Sequence, residues 1–369
     1  MKEVRVSLKE RSYPIWVGRN VLNQLGRVLR GYDLTPKVMI ITNPVVNAHY
    51  GRMVREILEK SDLLVALTVV PDGEEYKSLK WASKLYDKLL DHKLDRYSII
   101  VALGGGVIGD LAGFVAATFM RGIPYVQVPT TLLAQVDSSV GGKVAVNHPK
   151  AKNMIGAFWQ PKFVLVDLEV LRTLPGRELR AGLAEVVKYG VIRDRDLFEF
   201  IEENIDGIRA LDLGGVEEVV ARSCGIKAEV VTQDEREEGL RAILNYGHTI
   251  GHAIEALTDY KVYRHGEAIS VGMVCSAKIS CKMGILDDSQ ARRQLELLRK
   301  VGLPTCMKGL KPKNVLEALS RDKKVRAGKV RFVLAENIGQ VVIRDDVPLE
   351  IIEEVIEEQT SDKRGVLPA

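Results

Sequence analysis

Residues 97–114, YSIIVALGGGVIGDLAGF, decide the fold. A β-branched apolar run of strand length ends at Leu103 and enters a glycine turn, and a helix begins near Val107. Gly104, Gly106 and Gly109 satisfy G-x-G-x-x-G in a strand, turn and helix context. Glycines there allow a tight turn and let backbone N–H groups approach a pyrophosphate at a helix N-terminus, whose dipole favours anions. Alone, the pattern serves a plain tight turn as well as a nucleotide site.

Outward from this unit the same alternation repeats. KVMIIT (37–42), LLVALTVV (63–70), PYVQVP (124–129) and KFVLVD (162–167) read as buried strands. GRMVREILEKS (51–61) and SLKWASKLYDKLLDHK (78–93) read as helices between them. The expectation is an α/β domain with a mostly parallel sheet that binds ligands at the carboxyl ends of its strands. The opening MKEVRVSLKERSYPIWVG scatters charges through alternating apolar residues, as a β-hairpin does and a signal peptide does not.

Two features depart from a dinucleotide fingerprint. The glycine turn lies in the third or fourth strand unit, and no acidic residue ends the next strand near Gln127. The turn PDGEEYK (71–77) after an earlier strand offers Asp72, Glu74 and Lys77 instead, although a solvated loop is its commoner meaning. Residues 128–161 are rich in glycine and hydroxyl groups and carry Thr130, Thr131, Asp137, Lys143, Lys152 and Asn153. They read as a long functional loop, since Met154, Phe158 and Trp159 argue against disorder.

Pro175-Gly176 marks the expected boundary between domains 1–174 and 175–369, and beyond it the pattern is mostly helical. RELRAGLAEVVKYGVI (177–192) sets Glu185 and Lys188 among apolar neighbours, where a carboxylate is expensive to bury without a partner or a cation. LNYGHTIGHAIE (244–255) reads as a helix with His248 and His252 on one face, and His265 follows in RHGEA. Three of the six histidines thus fall within eighteen residues. An isolated H-x-x-x-H is more often a pair of helix-face histidines bonded to backbone or solvent, and Thr249 stands where a zinc protease needs glutamate. Glu185, His248 and His265 would make a catalytic zinc set with an open position. KVRFVLAENIGQVVIR (329–344) reads as a hairpin before a closing helix.

Composition narrows the function classes. Hydrophobic residues are 46% and charged residues 28% of 369, enough for sizeable cores. The net charge of +4, from 53 basic and 49 acidic residues without long runs of one sign, gives no nucleic-acid track. No apolar run approaches the roughly 20 residues of a membrane span. The four cysteines lack C-x-x-C spacing, which favours reduced thiols in a cytoplasmic protein.

Together, GGGVIGDLAGF, PTTLLAQVDSSVGGK, GLAEVVKYG, LNYGHTIGHAIE and HGEA, in this order and spacing, resemble the 3-dehydroquinate synthase family of the shikimate pathway. The likeness is faintest in the first 35 residues and around 194–215. It implies an N-terminal NAD-binding α/β domain, an α-helical metal- and substrate-binding domain, one divalent metal (zinc or cobalt) and a homodimer.

By that resemblance the metal ligands are Glu185, His248 and His265. NAD contacts fall on Asn43, on Asp72, Gly73, Glu74, Glu75, Tyr76 and Lys77, on Gly106, Val107, Ile108, Gly109 and Asp110, and on Thr130, Thr131 and Thr173. Lys143 and Lys152 border cofactor and sugar-phosphate substrate. The substrate pocket takes Asp137, Asn153, Lys188, Lys227, Arg241, Asn245, His252 and Lys323 (or its neighbour Lys324), with Arg121 reaching across the dimer. The implied reaction converts 3-deoxy-D-arabino-heptulosonate 7-phosphate to 3-dehydroquinate and phosphate. Rival readings are a sister sugar-phosphate cyclase, a metal-dependent polyol dehydrogenase of the glycerol dehydrogenase type, and a non-catalytic NAD sensor.

Overall fold

A computed structural model describes residues 1–32, 34–320, 325–326 and 329–361. The chain divides into two compact units, Met1–Leu174 with Val216–Arg236, and Pro175–Gly215 with Glu237–Ala369.

Among the described residues of the first unit nine strands form: β1 (Lys2–Val6), β2 (Tyr13–Gly18), β3 (Lys37–Thr42), β4 (Leu64–Val69), β5 (Ile99–Gly104), β6 (Tyr125–Pro129), β7 (Lys143–His148), β8 (Ala151–Phe158) and β9 (Val164–Asp167). Seven make one sheet in the order β1-β2-β9-β6-β5-β3-β4, and only the β1/β2 pair is antiparallel. Strand order reverses between β3 and β5, so this is a doubly wound sheet with its switch point there. Alternation along β5 gives the sheet two dry faces. Ile99, Val101 and Leu103 enter one core with Leu25, Leu29, Val54 and Leu58, whereas Ile100 and Ala102 enter the other with Leu85, Leu89 and Leu111.

The helix Gly106–Thr118 is apolar almost all round because it is covered twice. One side lies on the sheet, and the other lies under the antiparallel hairpin of β7 and β8. Gly113 is required at that second contact, since a Cβ there would come 2.3 Å from Cγ1 of Val144. The later half of the expected long loop at 128–161 is therefore this hairpin. Its glycines and polar groups masked the alternation of VAVNH and MIGAF, in which Val144 and Val146 turn inward.

The segment Val216–Arg236 departs from the expected 175–369 grouping. It occupies most of the helix Leu213–Gln233, and its contacts explain the difference. Lys227 bonds Asp137, Cys224 donates to the Gln135 carbonyl, and Lys2 and Arg11 pair with Glu218 and Glu235.

The second unit is mainly helical, with one core joining the helices His248–Leu257, His265–Lys282 and Leu349–Ser361 to the hairpin Phe332–Asn337/Gln340–Arg344. The helix expected over 244–255 begins only at His248. Leu240–Asn245 is a tight 3-10 turn, and Gly247 at φ +76° breaks the path between them. A Cβ on Gly247 would meet the Met273 backbone at 2.8 Å, so both the conformation and the packing demand glycine.

Candidate functional sites

In the first unit the expected cofactor residues follow the carboxyl ends of neighbouring parallel strands: Asn43 after β3, 72–77 after β4, 105–110 after β5, Thr130 and Thr131 after β6, and Thr173 beyond β9. Parallel pairing puts all these ends on one edge, which is why residues 130 positions apart in sequence can serve one ligand. The helix Gly106–Thr118 starts from Gly105 with no side chain capping its first-turn amides. A Cβ on Gly105 or Gly106 would lie 3.1 Å from Thr131 or 3.0 Å from Ser138, so the turn is a shallow cradle that side chains would narrow. Thr130 Oγ1 is buried beside it without a hydrogen-bond partner. Uncapped amides at a helix N-terminus, a glycine cradle and an orphaned hydroxyl fit the pyrophosphate of a dinucleotide.

Around this edge the polar side chains form a network. Lys77 Nζ donates to Asp110 Oδ2 at 2.9 Å and to Asn153 Oδ1 at 2.6 Å, with Glu74 Oε1 at 3.5 Å and Lys152 3.6 Å from the same oxygen. Burial opposes the Lys77 ammonium, but Asp110 and Glu74 outweigh it and hold the group above its ordinary value. Burial likewise raises Asp110, although Lys77 pulls it down. Asn43 donates to Asp72 at 2.7 Å, and Tyr50 bonds Thr173 at 2.7 Å. Lys227 donates to both the carbonyl and the carboxylate of Asp137, each at 2.6 Å. Lys143 is exposed on β7, and Arg121 is exposed in left-handed backbone at φ +68°.

Asn147 is a member of this network that sequence reasoning missed. Its Nδ2 donates to Glu74 Oε1 at 2.8 Å and its Oδ1 accepts from Asn153 N at 3.0 Å. Asn153 is held at φ +54°, a left-handed conformation that asparagine tolerates better than most residues. No local motif marks Asn147, because its partners come from a distant turn and from the other strand of the hairpin.

In the second unit, close helix crossings bring Glu185, His248 and His265 together. Glu185 lies mid-way along the helix Gly176–Arg193, while His248 and His265 each open a helix. A Cβ on Gly272 would sit 1.9 Å from the Gly247 carbonyl oxygen, so the two histidine helices touch through backbone. Arg177 binds Glu267 through two bonds of 2.7 and 2.8 Å and pins the start of the His265 helix to that of Glu185.

The donor atoms of Glu185, His248 and His265 lie within 4.8 Å of one another. Both imidazole Nε2 atoms stand 3.6 Å from Glu185 Oε1. Their Nδ1 atoms turn outward, His248 to the Tyr246 carbonyl at 3.1 Å and His265 to the Glu255 carboxylate at 3.3 Å. Two imidazoles held through Nδ1 and presenting Nε2 to a buried carboxylate fit a divalent cation. Burial disfavours a charged His265, but Glu255 and Glu185 outweigh it and push the ring up to about 10. A cation at Nε2 displaces that proton.

Other expected residues gather here. Lys188, 1% exposed, pairs its ammonium with Glu185. His252 sets its ring centroid 5.3 Å from that of His248, and Arg241 is buried in the preceding 3-10 turn. Asn245 donates to Glu237 at 2.9 Å. Glu255 and Glu237 carried no expected role. Lys323 and Lys324 lie outside the described residues.

Two family models match in succession, 3-dehydroquinate synthase N-terminal over residues 67–181 and 3-dehydroquinate synthase C-terminal over residues 182–325. A protein of a Picosynechococcus sp. strain named 3-dehydroquinate synthase is 52% identical over 355 residues, 95% of this chain and 97% of the relative. A 2-epi-5-epi-valiolone synthase from Streptomyces hygroscopicus subsp. jinggangensis 5008, solved with NAD+ and Zn2+ bound, is 28% identical with a TM-score of 0.88, covering 96% of this chain and 98% of that one. A 2-deoxy-scyllo-inosose synthase solved with carbaglucose-6-phosphate, NAD+ and Co2+ is 29% identical with a TM-score of 0.88, covering 97% and 100%. With half its residues shared over nearly its whole length, this chain belongs to the 3-dehydroquinate synthase family.

Proposed function

We infer that this chain converts 3-deoxy-D-arabino-heptulosonate 7-phosphate to 3-dehydroquinate and phosphate, using NAD and one divalent metal, zinc or cobalt. The observation that carries the reading is the convergence of Glu185, His248 and His265 in a chain 52% identical to a 3-dehydroquinate synthase. The 52% identity over 95% of the chain favours the synthase over a polyol dehydrogenase, which would also hold a metal.

When bound, NAD would accept a hydride from the substrate and return it, and the divalent ion would lower the pKa of a substrate hydroxyl. Oxidation of one ring hydroxyl would acidify the neighbouring C–H bond, so that phosphate could leave. Reduction, ring opening and aldol closure would then give the carbocycle with no net redox change.

The protein residues bind and orient. Glu185, His248 and His265 would hold the cation. Asn43, the 72–77 turn, the glycine turn with Asp110, and Thr130, Thr131 and Thr173 would seat the dinucleotide. Lys143, Lys152, Asn153, Lys188, Lys227, Arg241, Asn245 and Lys323 would take the phosphate, carboxylate and hydroxyls, with Asp137 holding Lys227 in place. His252, one helical turn from His248, is placed to move or orient protons.

A homodimer with Arg121 reaching the partner belongs to the same reading, supported by the exposed Met154 (55%) and Phe158 (43%) on one side of β8. A cytoplasmic location is consistent with four cysteines that form no disulfide. No helix among the described residues is long and apolar enough to cross a membrane. Phosphate release from the heptulosonate phosphate tests the function directly. It should require NAD and be stopped by a chelator, and release that is indifferent to both would overturn the assignment.

A further inference from the structure

We propose that Glu255 is a positioning residue for His265, fixing the tautomer and aim of that metal ligand; the proposal rests on the metal-binding reading above. Glu255 is buried at 8% exposure, and both its carboxylate oxygens lie 3.3 Å from His265 Nδ1. The opposite ring nitrogen lies 3.6 Å from Glu185 Oε1. A carboxylate that accepts from Nδ1–H leaves Nε2 with its lone pair toward the cation and makes it a better donor.

Local propensity does not explain this residue. Glu255 occupies the last turn of the helix His248–Leu257, where a negative charge opposes the helix dipole, and burial adds a desolvation penalty. On the next helix it meets the first residue, His265. The two histidine ligands are therefore anchored differently. His248 leans on a neutral carbonyl, that of Tyr246, whereas His265 leans on a full charge. Removing the charge should weaken the His265 bond to the cation without removing a ligand.

A competing arrangement has its own support. Donor atoms of His252, Glu255 and His265 also fall within 4.8 Å of one another, which would make Glu255 a ligand itself through the Nδ1 side of the ring. The Nδ1 contact is of hydrogen-bonding length, and the Nε2 side already meets Glu185 and His248, so we favour the positioning role.

Zinc affinity of the full-length protein, measured by competition with a chromogenic chelator, decides between them. His248→Ala serves as the reference and should lose stoichiometric zinc; if it does not, the metal reading itself fails. Glu255→Ala should bind zinc about 10- to 100-fold more weakly. Glu255→Gln keeps an acceptor for Nδ1–H but not the charge, and should recover only part of that loss, an intermediate affinity that a role in folding alone does not predict. It also keeps the test alive should Glu255→Ala fold poorly, as the melting temperature of the metal-free variants would reveal. Zinc binding unchanged in both Glu255 variants would overturn the proposal. Loss in both as complete as in His248→Ala would also overturn it, by making Glu255 a ligand.

Discussion

A Cβ placed on Gly266 would lie 1.9 Å from the carbonyl oxygen of Ala181, so the helix carrying His265 and the helix carrying Glu185 meet there backbone to backbone. That crossing sits one residue from one ligand and about one turn from the other. Gly266→Ala must push the helices apart, and a shift of a few tenths of an ångström is enough to spoil a coordination set. We expect loss of bound metal and a destabilisation of about 1–3 kcal/mol, read by metal analysis and urea unfolding. A variant with full metal content would show that the close contact does not define the site.

Glu185→Ala, His248→Ala and His265→Ala should each abolish phosphate release and lower metal content. NAD binding, which the first unit would provide, should survive in all three. Dialysis followed by metal analysis, together with NAD titration by fluorescence, separates these effects, and stoichiometric metal in any one variant would remove that residue from the ligand set.

Asn147→Ala breaks the bridge between Glu74 and Asn153 without touching the glycine turn. NAD affinity should fall about tenfold, equivalent to ~1.4 kcal/mol. Asn147→Asp keeps the acceptor for Asn153 N but sets a carboxylate against Glu74, and should bind NAD no better than Asn147→Ala. Unchanged NAD binding in both would make the bridge purely structural.

Burial pushes the thiols of Cys224 and Cys275 from 9.0 up to about 12. The unfolded chain therefore releases these protons first. Their contribution to stability is full below pH 9 and is lost as pH rises toward 12. Urea midpoints measured from pH 8 to 10.5 should fall less steeply in Cys224→Ala and Cys275→Ala than in the wild type, after subtraction of the common lysine and tyrosine effect. Parallel slopes would show that neither thiol is desolvated as described.

Much of the fold was legible because its signals are local. The β-branched runs at 37–42 and 99–104 alternate with amphipathic helices, and that alone implies a parallel sheet with ligands at its carboxyl edge. The site was legible through motif order, although the motifs did not say why each residue is needed. In HGEA, the histidine faces Glu185, the glycine permits the helix crossing, and the glutamate binds Arg177. What escaped depends on distant partners. Asn147 and Glu255 act through residues that only folding brings near, and Val216–Arg236 looks like any helical segment of the second half. The hairpin at 143–158 was hidden because lysine, asparagine and alanine take up so much of its two strands, residues depleted in the composition that marks a strand.

Whether NAD is returned unchanged within each turnover is read most directly by supplying it well below the substrate concentration. Hydride taken from the substrate and restored to it leaves the cofactor oxidised, so phosphate release should run to completion while absorbance at the NADH band stays flat. NADH formed in proportion to substrate, without phosphate, would contradict the account and point instead to a dehydrogenase.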